Sequence, residues 1–310
     1  MLARRGQGPW FAGTILAVLV LTAVFAPSLA PQSPTDGDIT RKLIPPVWME
    51  RGNWGYPLGT DRFGRDVLSR IIYGSRISLV VSLVAIGVSG SVGTALGLVS
   101  GYRGGLTDTV LMRLTDVGLS LPTILIAVVL VAVSEPSFGN VILVIALLLW
   151  PRFARQIRGE TLAIKQQDFV ALAIVAGRSS GWIISRHIFP NVVPTLLVIS
   201  TLQVGYVILL EGTLSFLGVG VPPPNPAWGL MIADGRGFLA TAWWISLFPG
   251  LAMLLTVLAV NLMGDWLRDH LDPKLRQLGS RATALDTPVS SVEPALAEGP
   301  TRSAATADGN

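Results

Sequence analysis

ISLVVSLVAIGVSGSVGTALGLVSG, residues 77–101, runs for 25 positions without a charged side chain. A helix needs about 20 apolar residues to cross a hydrocarbon core ~30 Å thick, and a charge near its middle costs on the order of 3 kcal/mol. A run of this length and purity predicts a membrane-spanning helix. Its glycines at 87, 90, 93 and 97 recur at steps of three and four. That spacing lines small residues along the helix and suits close packing of a neighbour, although glycine is also common in membrane helices without that purpose.

Similar runs lie on either side. Residues 10–35 form the first, preceded by Arg4 and Arg5. With Ser28 and Ala30 this pattern also fits a cleavable signal, but Pro31 would follow the cut and the apolar stretch is long, so a retained span is expected. Residues 117–151 carry only Glu135, and as one helix they would be ~50 Å long, too long for a single crossing. The turn formers Ser134, Glu135, Pro136, Gly139 and Asn140 divide them into two helices. Residues 192–210 and 241–264 complete an all-α polytopic chain of about six spans. Composition agrees: of 310 residues, 51% are hydrophobic and 14% charged, which excludes an ordinary soluble domain. Cysteine is absent, so there is no disulfide or thiolate chemistry. The net charge of +4 is dispersed between apolar runs and forms no stripe for nucleic acid.

The dispersed cations orient the chain. Loops 102–116 and 152–191 hold Arg103, Arg113, Arg152, Arg155, Arg158, Lys165, Arg178 and Arg186, against Arg236 alone in the two later loops of the opposite side. Basic residues stay on the cytoplasmic side, so those two loops and both termini are expected there. Segment 36–76 is the exception, with seven Lys and Arg on the expected outside; at ~40 residues it nears the length at which the rule weakens. The expected division is an N-terminal arm over 1–9, a first span over 10–35, an external segment over 36–76, a transmembrane domain over 77–267 and a cytoplasmic tail over 268–310, disordered from 280.

Within the transmembrane domain the connecting loop over 166–191 is the most informative; QQDFVALAIVAGRSSGWIISRHIFPNVVP spans 166–194. Residues 169–176 are apolar but too short to cross a bilayer, framed by Lys165, Asp168 and Arg178. Asp168 suits an N-cap, Gly177 a C-terminal stop, Ser179 or Ser180 a second cap, and Pro190 the end of a second short helix. Two short helices hinged on Gly177 thus present apolar side chains on the cytoplasmic side. Such a surface is covered by the membrane face, by the subunit's own helices, or by a docked protein.

Two other stretches stand out. Residues 57–79, PLGTDRFGRDVLSRIIYGSRISL, space Arg62, Arg65, Asp66, Arg70 and Arg76 mostly as on a helix, with Asp66 and Arg70 as an i, i+4 pair. This reads as a solvated interfacial helix or as a contact for an external protein. Residues 209–236, LLEGTLSFLGVGVPPPNPAWGLMIADGR, hold four prolines that stiffen a loop and Trp228, suited to the headgroup level. The stretch serves either as a gate or as a merely stiffened connection. Gln203 and Asn261 inside spans suit interhelical hydrogen bonds, whereas Glu211 is a candidate for lining a pathway or for a structural pairing.

No GxxxxGK[ST] loop occurs, so the chain is not its own P-loop ATPase. Its spans lack the charges an ion-coupled carrier places in its pathway, and His187 and His270 both lie near the expected cytoplasmic surface, which disfavours an intramembrane hydrolase. A stand-alone ion-coupled carrier or channel is the competing reading, a membrane enzyme the weaker one.

The loop from Asp168 to Pro190 resembles the coupling segment of ABC importer permeases, which reads approximately DYVEAARALG and ends in Ile-Leu-Pro-Asn. Asp168, Phe169, Val170, Ala173 and Gly177 fall in register, followed by Arg186, His187, Ile188, Phe189, Pro190 and Asn191 in place of the terminal segment. Ala171 and Leu172 stand where the family has glutamate and alanine, and Ile174 where it has a basic residue, so this loop is more apolar than usual. Residues 57–79 and 209–236 resemble the corresponding segments of the C-type permeases of dipeptide, oligopeptide, glutathione and nickel importers. The resemblance implies the type I importer fold and a transport subunit of a bacterial or archaeal cell membrane, without cofactor or enzymatic site. It also implies a related permease as partner, two ATPase subunits below and an extracytoplasmic substrate-binding protein above. Asp168, Phe169, Ala171, Leu172, Ala173, Gly177 and Pro190 would contact the ATPase, and Glu211 and Trp228 would serve the pathway or its gate.

Overall fold

The computed structural model describes residues 8–134 and 137–271; Arg4, Arg5, Glu135, Pro136 and the tail from Asp272 lie outside the described residues. The first apolar run forms α1 (Gly8–Val24), which breaks at Phe25 and resumes for one turn as α2 (Ala26–Leu29), with Pro27 in that turn. An irregular cap follows over 30–66. α3 (Val67–Arg103) contains the run 77–101 and extends it at both ends to 37 residues. That is ~55 Å of helix, so it projects beyond the hydrocarbon core. Gly104 and Gly105, with φ of 68° and 56°, swing the chain into α4 (Gly105–Ser120). α4 and α5 (Thr123–Val133) meet at 88°, because Pro122 disfavours helical backbone at Leu121 and leaves it extended.

The chain resumes as α6 (Phe138–Lys165), whose first turn includes Gly139 and Asn140, both expected in the connecting turn, and two prolines depart from expectation there and beyond. Pro151 does not close a span but lies inside α6, its ring against Gly118 of α4, where an added Cβ would meet it at 2.9 Å. The basic connection expected over 152–191 is therefore helical as far as Lys165. α7 (Asp168–Val175) and α8 (Ser180–Ile183) form the two short helices of the loop. Pro190 does not end the second one; it sits in the first turn of α9 (Phe189–Phe216), and the helix runs on from α8 through a π turn over Ile184–Ile188. Proline has no N–H for the helical ladder. The π turn, in which the Phe189 N–H reaches the Ile184 carbonyl, relieves that mismatch. α10 (Trp228–Gly235) and α11 (Trp244–Leu271) complete the described chain.

Among the described residues four helical stretches are long and apolar enough to cross a membrane: α3, α6, the continuous Ser180–Phe216 and α11. The bent α4–α5 pair makes a fifth. All six expected positions are helical, but the first, Trp10–Val24, is shorter than a full span because the chain breaks at Phe25.

α3 and α6 are the central pair, and glycine sets their distance. A Cβ on Gly93 would lie 2.5 Å from the Phe153 Cβ, one on Gly97 2.7 Å from the Ala154 carbonyl, and one on Gly101 2.7 Å from the Thr161 Cβ. The contact ridge is thus 93, 97 and 101, one i, i+4 row, whereas Gly87 faces open space. Three apolar clusters follow one another along the bundle. Trp228, Met231, Trp244 and Ile245 with Val67 form one at the cap end, and Val81, Ala85, Ile145, Phe153 and Val207 fill the middle. Leu98, Ile157, Val170, Ile183 and Ile188 lie beneath the two short helices.

Candidate functional site

The elbow formed by α7 and α8 begins one residue earlier than expected: Gln167 is the N-cap, and Asp168 occupies the first helical position, where its charge complements the helix dipole. Nine residues later Gly177 adopts φ 72°. Its N–H donates to the Ile174 carbonyl at 2.9 Å, and the Arg178 N–H donates to the Ala173 carbonyl at 3.1 Å, which closes the helix end. Nothing lies within 4 Å of the place a Cβ would take on Gly177, so the dihedral angle and not space requires glycine here. Ser179 then caps α8, its hydroxyl accepting from the Trp182 N–H at 3.4 Å.

Helical periodicity divides α7 into two faces. Val170 and Ala173 point inward and are buried in the cluster with Leu98, Ile157 and Val192. Leu172, 68% exposed, and Val175, 86% exposed, point away from the bundle, with Phe169 and Ile174 beside them. Of the residues expected to meet a partner, Asp168, Phe169, Ala171, Leu172, Gly177 and Pro190 are exposed, whereas Ala173 seats the elbow on its own subunit. Val175, three positions beyond Leu172 on the same face, was signalled by that spacing yet is not among them. The angle between the helices is closed by rings: His187 lies 5.8 Å from Phe169 and 5.0 Å edge-on to Trp182, whose other neighbour is the Arg178 guanidinium at 4.8 Å. An apolar face of this kind, held by a buried opposite face and open on the other side, is suited to being gripped and pushed as a unit.

Residues 93–277 match the model of the binding-protein-dependent transport system inner membrane component, more than half the chain. The chain belongs to that permease family. Residues 4–46 match the N-terminal transmembrane domain of oligopeptide transport permease C. This permease is 42% identical over 274 residues to the dipeptide transport system permease protein DppC of Haemophilus influenzae, covering 88% of this chain and 93% of that one. It is 43% identical to the protein of the same description from Escherichia coli, covering 88% and 91%. To the probable D,D-dipeptide transport system permease protein DdpC of Escherichia coli it is 39% identical, covering 84% and 85%. The resemblance drawn from the three motifs therefore holds over nearly the whole permease.

Behind the elbow the permease braces its helices with ion pairs. Arg158 of α6 grips Asp108 of α4 with two parallel hydrogen bonds of 2.5 and 2.6 Å, and Ser100 of α3 donates to the same carboxylate. Lys165 donates to the Tyr102 carbonyl at 2.7 Å.

The opposite end is built differently. Residues 57–66 are not an interfacial helix: Asp66 caps α3 through the Ser69 N–H and hydroxyl, and Arg70 is fully buried, 3.7 Å from Asp61 and not paired with Asp66. Burial pushes the Asp66 carboxyl up, and the hydrogen bonds from Ser69 oppose that shift. Asp61 accepts from Arg65 at 2.6 Å, and Arg62 and Arg65 both reach Asp234 of α10, at 2.7 and 3.4 Å. Trp228 is buried and not at a headgroup surface; its Nε1–H donates to the Ile71 carbonyl at 3.0 Å and its ring covers Gly74. Glu211 is fully buried: one oxygen accepts from Ser215 at 2.6 Å, and Ser215 in turn accepts from the Val221 N–H at 3.2 Å. Among the described residues no hydrogen bond joins Gln203 or Asn261 to another helix; Asn261 instead packs against Gly205.

Proposed function

We propose that this permease is one of two related membrane-spanning subunits of an ATP-driven importer of di- or oligopeptides in a bacterial or archaeal cell membrane. The elbow faces the cell interior and seats in a separate ATPase subunit, and the cap faces a substrate-binding protein outside. The observation that carries this reading is the exposed apolar face of α7, with Leu172 and Val175 at its centre. Eight basic residues of the expected cytoplasmic loops, set against Arg236 alone in the two later outer loops, support the orientation. Peptide as the cargo is supported by the relatives named as dipeptide permeases.

In this reading residues 1–9 and 268–310 are cytoplasmic, residues 36–76 are external, and residues 77–267 form half of the pathway, with loop 166–191 as the coupling segment. ATP closes the ATPase pair because the closed pair binds it better, and the elbow carries that motion into α6 and α9. Because Val170 and Ala173 fix the elbow to the bundle, a displacement at Leu172 is passed on instead of being absorbed locally. Glu211 and Trp228 serve the outer gate as positioning groups: Glu211 holds residues 215–221 through Ser215, and Trp228 pins α10 to α3.

The chain has no cysteine, so Val175→Cys introduces a single thiol. A membrane-impermeant maleimide should label it in inverted vesicles stripped of the ATPase and not in right-side-out vesicles. Labelling from the outside would refute the orientation and, with it, docking to the ATPase.

A further inference from the structure

We propose that the cleft between the end of α9 and α10 is a carboxylate-binding site, taking the C-terminal carboxylate of a short peptide; the peptide assignment rests on the importer reading above. The cleft has a volume of about 420 Å³, and Arg62, Asp234 and Arg236 line it together with Phe216, Leu230 and Phe238. Its one acid is already engaged: Asp234 accepts from Arg62 at 2.7 Å and from Arg65 at 3.4 Å. Arg236 has no carboxylate partner among the described residues; its guanidinium lies 5.8 Å from the centre of the Phe216 ring. The Arg62 side chain remains 44% exposed while holding Asp234.

Two guanidinium groups with donors left over thus border a cleft whose remaining wall is apolar. A planar guanidinium matches a carboxylate with two parallel hydrogen bonds, and the wall formed by Phe216, Leu230 and Phe238 suits an apolar side chain next to that carboxylate. Asp234 at the rim disfavours a second negative charge on the ligand, which selects a carboxylate over a phosphate dianion. An acidic side chain of a delivering protein presents the same group, and the test separates the two sources.

The permease, purified in nanodiscs with its partner subunits, is titrated calorimetrically with alanylalanine and with alanylalanine amide. Wild type should bind the acid about tenfold more tightly than the amide. Arg236→Gln should erase that preference and Arg236→Lys should keep part of it, with thermal midpoints nearly unchanged because Arg236 is exposed and its guanidinium meets, among the described residues, only the Phe216 ring, at 5.8 Å. In a parallel arm the affinity of the substrate-binding protein for the assembly is measured for wild type and Arg236→Gln. A tenfold loss confined to this arm assigns the carboxylate to that protein and overturns the peptide source. No effect of Arg236→Gln in either arm overturns the site itself. Uptake by the wild-type assembly is a separate reading: intact ATP-driven uptake without a cleft effect sinks the cleft alone, and absent uptake sinks the importer assignment.

Discussion

The two ends of the bundle solve opposite problems. At the cap end buried charges find one another within the chain: Asp61 with Arg65 and Arg70, Asp234 with Arg62 and Arg65, and the indoles of Trp228 and Trp244 with the carbonyls of Ile71 and Thr60. At the elbow end the apolar residues Leu172 and Val175 find nothing and stay exposed. The glycines tell the same story. A Cβ on Gly74 would meet the Trp228 ring at 2.5 Å, whereas one on Gly177 would meet nothing. The cap, held largely by its own pairs, is a platform; the elbow, open on its apolar side, is the joint that the proposed ATPase would grip.

The largest expected effect contrasts the ends directly. Asp61→Ala leaves Arg65 without its short ion pair and Arg70 buried beside an empty place, which should destabilise the permease by about 3–5 kcal/mol. Leu172→Ser should shift stability by no more than about 0.5 kcal/mol, yet it removes a central side chain of the proposed docking face and should cut uptake at least tenfold. Thermal midpoints of the purified assembly and uptake into vesicles separate the two. A Leu172→Ser permease that unfolds as readily as Asp61→Ala would erase the distinction between platform and joint.

A smaller effect sharpens the account of the hinge. Gly177→Val places a β-branched side chain at φ 72° in open space. Strain of about 1–2 kcal/mol should follow, opening the end of α7 without unfolding the bundle. Gly177→Asn, a residue that tolerates this conformation, should retain most of the uptake. Equal uptake for the two variants would show that the dihedral angle does not govern the hinge.

Much of the elbow was legible beforehand because its signals are local. A charge at Asp168, a glycine at 177, a serine at 179 and eight apolar residues too few to cross a bilayer specify two short helices without knowledge of their surroundings. The division of 117–151 into two helices was legible for the same reason, although Gly139 and Asn140, expected in the turn, lie in the first turn of α6. Proline misled where tertiary structure intervened: Pro151 is accepted inside α6 against Gly118, and Pro190 is accommodated after a π turn. The long-range pairs of the cap were not legible, since they join residues more than 150 positions apart, such as Arg62 with Asp234 and Trp244 with Thr60. Helical spacing alone suggested that Asp66 would pair with Arg70. Spacing also located the glycine row of α3 without telling which of its members faces α6.

Single cysteines at 170, 172 and 175 in the otherwise cysteine-free permease, assembled with its ATPase subunits and treated with a short bifunctional reagent, test the central claim most directly. Adducts with the ATPase are predicted from positions 172 and 175 and none from the buried position 170. Adducts from none of the three, or equally from all, would contradict an elbow gripped by its outer face.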